Sequence, residues 1–188
     1  MEERFDYGLN PKKLGALSSY LCDPATASAE FLLVKSQYQA ETGRAVERGA
    51  LFFQIRQAFL PGEVTAEEAN QIGYETAMRW TKGKYQFFVC THTDKGHLHN
   101  HIYFNSTAFD RSRKFHNFIG SSFALRRLSD RVCIEYDLSV IQIQNSTARA
   151  GISIMASGLG RSHPLQNNGC GWPSWRLCKN SPPIFRRF

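Results

Sequence analysis

Residues 92–105 read HTDKGHLHNHIYFN, and four of the six histidines in this 188-residue chain fall within the first ten of them. His97, His99 and His101 alternate with Leu98 and Asn100. On a strand, successive side chains point to opposite faces, so these three imidazoles share one face. Such a row is costly to place in an ordinary core and well suited to a divalent metal. Upstream, Tyr85 to His92 carries the apolar run 87–90 and reads as a second strand. Asp94, Lys95 and Gly96 read as a tight hairpin turn, with Gly96 at a positive φ. The paired strands then stand about 5 Å apart, and His99 and His101 roughly 7 Å apart on theirs. His92, His99 and His101 make a three-imidazole site with positions left open for substrate and water, as a catalytic metal requires. Asp94 and Asn105 are candidates to accept the second N–H of a ligand imidazole. His97 is a flanking contact to metal or DNA.

Outward from this hairpin, Asp23-Pro24 opens a helix that runs to about Thr42 and stops at Gly43. Residues 51–59, LFFQIRQAF, read as a strand ended by Pro61-Gly62. Thr65 and Glu68 form a capping box on a helix that continues to Trp80, closed by Lys82-Gly83. A last helix spans about Ser122 to Tyr136, and 138–141, LSVI, reads as a short strand. The expected class is α+β: an antiparallel sheet with helices packed on one face.

Bulk properties narrow the setting. Hydrophobic residues make up 42% of the chain, and no apolar run is long enough to insert in a membrane. The five cysteines show no CxxC spacing, which points to a reducing cytoplasm. The net charge of +7 resembles a nucleic-acid signature, but six basic and no acidic residues lie in 146–188. Residues 1–145 therefore carry only +1, and the global charge says little about DNA. Two segments follow: 1–142 as a folded domain, and 143–188 as an atypical basic tail.

The pattern of residues 92–105 resembles the third motif of the conjugative relaxases, mobilisation nucleases of the HUH endonuclease superfamily. DYGLNPKK at 6–13, SSYLCDPATASAEFLL at 18–33, IRQAFLPGEVTAEEANQIGYE at 55–75, RKFHNFIGS at 113–121 and LRRLSDRVCIEYDLSVI at 125–141 extend the likeness. These blocks are similar to relaxases of mobile elements in Gram-positive gut bacteria. The resemblance implies a palm-like antiparallel sheet and metal-dependent nicking of single-stranded DNA at a transfer origin. A tyrosine would attack the scissile phosphate, become joined to the 5′ end and release a 3′-OH. By motif, that nucleophile is Tyr7, with Tyr20 and Tyr38 as rivals, and the metal ligands are His92, His99 and His101. Mn or Mg is the implied ion, although imidazoles also favour Zn or Ni. Relaxosome accessory proteins and a coupling protein are the implied partners, without membrane insertion. Arg56, Lys95 and Lys114, with Lys82, Lys84 and Arg113, are candidates for phosphate contact, and Phe115 and Phe118 for stacking on bases. Each has an ordinary alternative as a solvated charge or a core aromatic.

Two departures from the family stand out. Its members carry a strand and a basic stretch ahead of the tyrosine motif, whereas Tyr7 here follows six residues, so the first strand is expected to be absent. Met155 to Gly160, MASGLG, stands where the family has Gly-Lys-Trp-Leu-Gly, and a coding sequence for MASGLG shifted in frame yields that peptide. The tail thus reads as disordered or as the product of a frameshift between about Gln142 and Met155. Three readings remain: a nicking relaxase domain, a non-catalytic remnant that binds metal or single-stranded DNA, and a zinc-dependent hydrolase with no role for Tyr7.

Overall fold

Aromatic and β-branched runs with both faces covered set the middle of the molecule. In the computed structural model, which describes residues 1–44, 49–140 and the backbone of 153–158, these runs are β2 (Ala50–Ala58), β3 (Phe87–His92) and β4 (His99–Asn105). They are joined by β1 (Leu14–Tyr20) and β5 (Ser153–Gly158) in one antiparallel sheet of order β1-β3-β4-β2-β5. The helices are α1 (Glu2–Gly8), α2 (Ala27–Thr42), α3 (Ala66–Thr81) and α4 (Ser121–Glu135). The expected α+β class with an antiparallel sheet is the observed one.

Helices cover both faces of that sheet rather than one. Phe5 of α1 and Ala27 and Phe31 of α2 pack with Phe52, Phe88, Cys90 and Tyr103. Ala77 of α3 and Leu125 of α4 pack with Ile55, Val89, Ile102 and Phe104 on the other side. A strand that alternates two apolar sets, as β3 does, is dressed on both sides. α1 has only seven residues, too short to hold its own helical form in water. Its anchor is Phe5, 3% exposed and edge-on to the rings of Phe31, Phe52, Phe88 and Tyr103. Burial of that ring contributes on the order of 2 kcal/mol, enough to seat a helix of two turns.

The capping box at Thr65 and Glu68 is present, and Gly43 and Lys82 end their helices in the left-handed conformation. Other expectations shift. Helix α2 starts at Ala27, because the Asp23 carboxylate accepts from Ala25 N (3.0 Å) in a turn of its own. The connection from β3 to β4 spans 93–98 instead of a tight turn, and Gly96 has no positive φ. Leu98 explains this: its carbonyl accepts from Phe59 N, and its side chain packs beside Phe59, Ala69, Ile72 and Val132. Leu138, drawn into the same cluster, leaves 138–140 outside any strand, and Ile141 lies outside the described residues. Strand β1 and helix α1 were not foreseen, and β5 falls within the stretch read as a tail; its side chains are outside the description.

Candidate metal centre

Register decides which side chains meet. His92 pairs directly with His99, and Cys90 with His101, so the three histidines stand together at the end of the β3–β4 ladder beside the 93–98 connection. One nitrogen from each of His92, His99 and His101 lies within 4.8 Å of the others. Ring centroids are 5.3 Å (92 to 99), 4.7 Å (92 to 101) and 5.1 Å (99 to 101) apart. All three rings are buried.

The outer nitrogen of each ring has a partner, as metal-binding histidines require. His92 Nε2–H donates to the Gly8 carbonyl at 2.8 Å. His99 Nδ1 makes a long 3.5 Å contact with the His97 carbonyl. His101 Nδ1 stands 2.8 Å from the Gln54 carboxamide. The inner atoms His92 Nδ1 and His101 Nε2 are buried with no hydrogen-bond partner. Unpartnered ring nitrogens at this spacing fit a divalent ion with imidazole ligands.

Burial pushes the pKa of His99 down to about 4, and burial with the neighbouring His92 and His99 pushes that of His101 down to about 3. Both rings stay neutral well below the ordinary imidazole range. Unfolded imidazoles titrate near 6.5, so between about 6.5 and 4 the unfolded chain binds protons that the folded chain refuses. The metal-free protein is therefore expected to lose stability as pH falls from about 7 to 5, by at most about 1.4 kcal/mol per pH unit per ring. Denaturant midpoints across that range test this, and His101→Gln is expected to flatten the slope. Equal slopes in both proteins would refute it.

Gln54 was not among the residues expected from sequence. Its side chain is buried, its Nε2 also lies 3.2 Å from the Tyr103 hydroxyl, and its Oε1 has no partner. With the carboxamide turned so that oxygen faces His101, Nδ1–H donates and the Nε2 lone pair faces the centre. With nitrogen facing it, Nε2 carries the proton and cannot ligate. Gln54→Leu is expected to lower Mn²⁺ affinity about 10- to 100-fold by titration calorimetry, and Gln54→Glu to preserve it. Equal affinity in Gln54→Leu would show that the carboxamide does not orient the ring.

Behind the ligands, on the opposite face, Asn100 satisfies all of its polar atoms. Its amide donates to Gln57 Oε1 (3.1 Å) and the Ala69 carbonyl (2.6 Å), and it accepts from Thr91 Oγ1 (2.7 Å). Gln57 continues the network to Ser129 (2.9 Å). A side chain fixed between His99 and His101 in sequence holds both of them in register.

Tyr7, at the end of α1, places its ring 5.6 Å from the rings of both His92 and His101 and is 42% exposed. Its rivals are committed elsewhere: the Tyr20 hydroxyl donates to the Gly83 carbonyl (3.3 Å), and Tyr38 is buried beneath Lys114. Gly8 is required here, because a Cβ would meet the Tyr103 ring at 2.8 Å. Arg56, opposite His101 in the register, is exposed, and Lys95 lies in the 93–98 connection with its charge acting on His99 and His101. His97 flanks the triad, its ring 5.5 Å from that of His99.

Of three other candidates, Asn105 and Lys114 stand away from the centre, and Asp94 lies near it, coupled electrostatically to His99 and His92. Asp94 pairs with Lys13 at 3.4 Å instead of an imidazole. Asn105 donates to Gln86 Oε1 (3.0 Å) and accepts from Thr107 N (3.0 Å), since its place at the far end of β4 puts it beside Gln86. Lys114 bridges to Thr107, about 20 Å along the strand from His101 at 3.3 Å per residue. Phe115 is a core ring between Phe53, Trp80 and Phe104, whereas Phe118 is 49% exposed.

Two proteins named rlx from Staphylococcus aureus are 36% and 33% identical over 119 and 131 residues, covering 63% and 70% of this chain. The group II intron-interrupted relaxase LtrB of Lactococcus lactis subsp. cremoris is 36% identical over 108 residues, 55% of this chain. The chain spans 35% and 39% of the two rlx proteins and 18% of LtrB. No solved structure matches it. Among the described residues, no helix is long and apolar enough to cross a membrane. The family model for relaxases, MobA/VirD2-like, nuclease domain, matches residues 7–138, and the chain belongs to that family.

Proposed function

We propose that this chain is the strand-nicking part of an HUH-type relaxase that acts on single-stranded DNA at a transfer origin, for mobilisation of a plasmid or transposon. The observation that carries the reading is the exposed Tyr7 ring set against two of three buried, mutually facing imidazoles. The ring keeps 42% of its surface exposed, so this face is open to an incoming strand. His92, His99 and His101 would hold the ion, with Mn or Mg as the working metal. When bound, a divalent ion supplies positive charge against the phosphate oxygens and offsets the charge that develops there.

Tyr7 Oη forms a bond to the scissile phosphorus while the bond from phosphorus to the 3′ oxygen breaks. The departing 3′ oxygen takes up a proton and becomes the free 3′-OH, and the tyrosyl proton passes to solvent. The 5′ end remains on Tyr7 as a phosphodiester of similar energy, so the reverse attack reseals the strand. The chain's residues supply placement: α1 fixes the phenol, the β3–β4 ladder fixes the imidazoles, and Arg56 and Lys95 present cations to the backbone. Accessory proteins and a coupling protein of a relaxosome are the partners this role implies, in a bacterial cytoplasm.

The test is a denaturing gel of the full chain with labelled single strands spanning the element's transfer origin, with Mn²⁺ or Mg²⁺ and with chelator. A metal-dependent band of protein-linked DNA is the expected result. Cutting without any covalent band would replace this reading by metal-dependent hydrolysis. The absence of both would leave a binding remnant.

A further inference from the structure

Lys13 stands beside the centre with two partners of different kinds. Its Nζ lies 4.3 Å from the centroid of the Tyr7 ring and 3.4 Å from Asp94 Oδ2. The backbone around it is held firmly. The Lys13 carbonyl accepts from Thr93 N at 2.9 Å, and the next residue, Leu14, pairs with His92. The ammonium is therefore bracketed between the phenol and the connection that carries Asp94. The two side chains remain 27% and 22% exposed. An ion pair that solvent still reaches, across a contact of 3.4 Å, exchanges readily for a better anion. A phosphodiester is such an anion: it carries a full charge and two oxygens that accept from an ammonium.

We propose that Lys13 is a phosphate-binding residue of the DNA path, and that Asp94 is its latch. In the free chain Asp94 holds the ammonium over the Tyr7 ring. A strand entering the site takes Lys13 from Asp94, which sets one backbone phosphate against the phenol. Asp94 thereby competes with the phosphate and lowers the affinity of any strand that takes up Lys13. The proposal rests on the reading of the Tyr7 face as the DNA-binding face.

The experiment measures fluorescence anisotropy of a fluorescein-labelled oligothymidylate with the full chain, in chelator, across a range of salt. Lys13→Met is expected to weaken binding about threefold to tenfold and to reduce the slope of log affinity against log salt by about 0.7, one phosphate contact on a single strand. Lys13→Arg is expected to keep the slope. Asp94→Asn is expected to tighten binding, and that gain is expected to vanish in the Lys13→Met background. An unchanged slope in Lys13→Met with an unchanged thermal melt would overturn the phosphate contact. A gain from Asp94→Asn that persists without Lys13 would overturn the latch, because Asp94 would then act by general repulsion. If Lys13→Met fails to fold, Lys13→Gln replaces it in both the slope and the double-variant arms. No binding by the wild-type chain would overturn the DNA reading and the latch together. The predicted pattern in a chain that forms no adduct would support the latch and count only against the nicking step.

Discussion

Tyr7→Phe is expected to abolish the protein-linked DNA band while leaving single-strand binding within about twofold, the range of a substitution that removes no buried contact. The substitution deletes only the phenolic oxygen. The ring that faces His92 and His101 and lies under Lys13 is kept, so placement of α1 does not depend on the change. A phenyl group has no atom that can bond to phosphorus, and no water molecule can substitute, because hydrolysis leaves no covalent link. The loss should therefore be total for the adduct, in contrast to the partial losses that follow from displaced contacts. A band that persisted in Tyr7→Phe would place the nucleophile elsewhere. Tyr20 and Tyr38 would then have to leave their packed positions to serve.

His101→Ala is expected to lower Mn²⁺ affinity by more than about a hundredfold, since loss of a mere supporting hydrogen bond costs about 10- to 100-fold. His97→Ala is the contrasting case. Its ring lies outside the set of three nitrogens that face one another, so its loss is expected to change affinity about threefold or less. Without metal, His101→Ala is expected to lower the melt only modestly, because it removes the 2.8 Å contact with Gln54 together with a buried nitrogen that has no partner. Calorimetric titration of both variants, with a thermal melt of each metal-free protein, decides the matter. Equal losses in His97→Ala and His101→Ala would show that the ligand set is wrong.

The histidine hairpin was legible because a strand's period of two is rigid: the spacing of His99 and His101 alone puts them on one face. Helix boundaries at Thr65, Gly43 and Lys82 were legible for a similar reason, as local capping chemistry acts over three or four residues. What escaped depends on contacts across the chain. Strand β1 is rich in small and hydroxyl residues and sits at the end of the sheet order, where no continuous apolar run is needed. Helix α1 reads as a polar terminus because a single buried ring, Phe5, anchors it, and one phenylalanine has no period. Gln54 looks like an interruption in a strand of aromatics until β2 is laid against β4. Asp94 and Asn105 failed as supports for the imidazoles because sequence proximity to a ligand does not fix direction. One is drawn to Lys13, and the other faces the opposite end of β4.

The bond from His92 to the Gly8 carbonyl ties the first helix to a proposed metal ligand through the residue that directly follows Tyr7. The two events are consequently linked in free energy: whatever an ion gains from finding α1 already docked, the docking of α1 gains from the ion. On the proposed reading, Tyr7 would be held more firmly in the metal-loaded chain, and a loosened first helix would weaken metal binding.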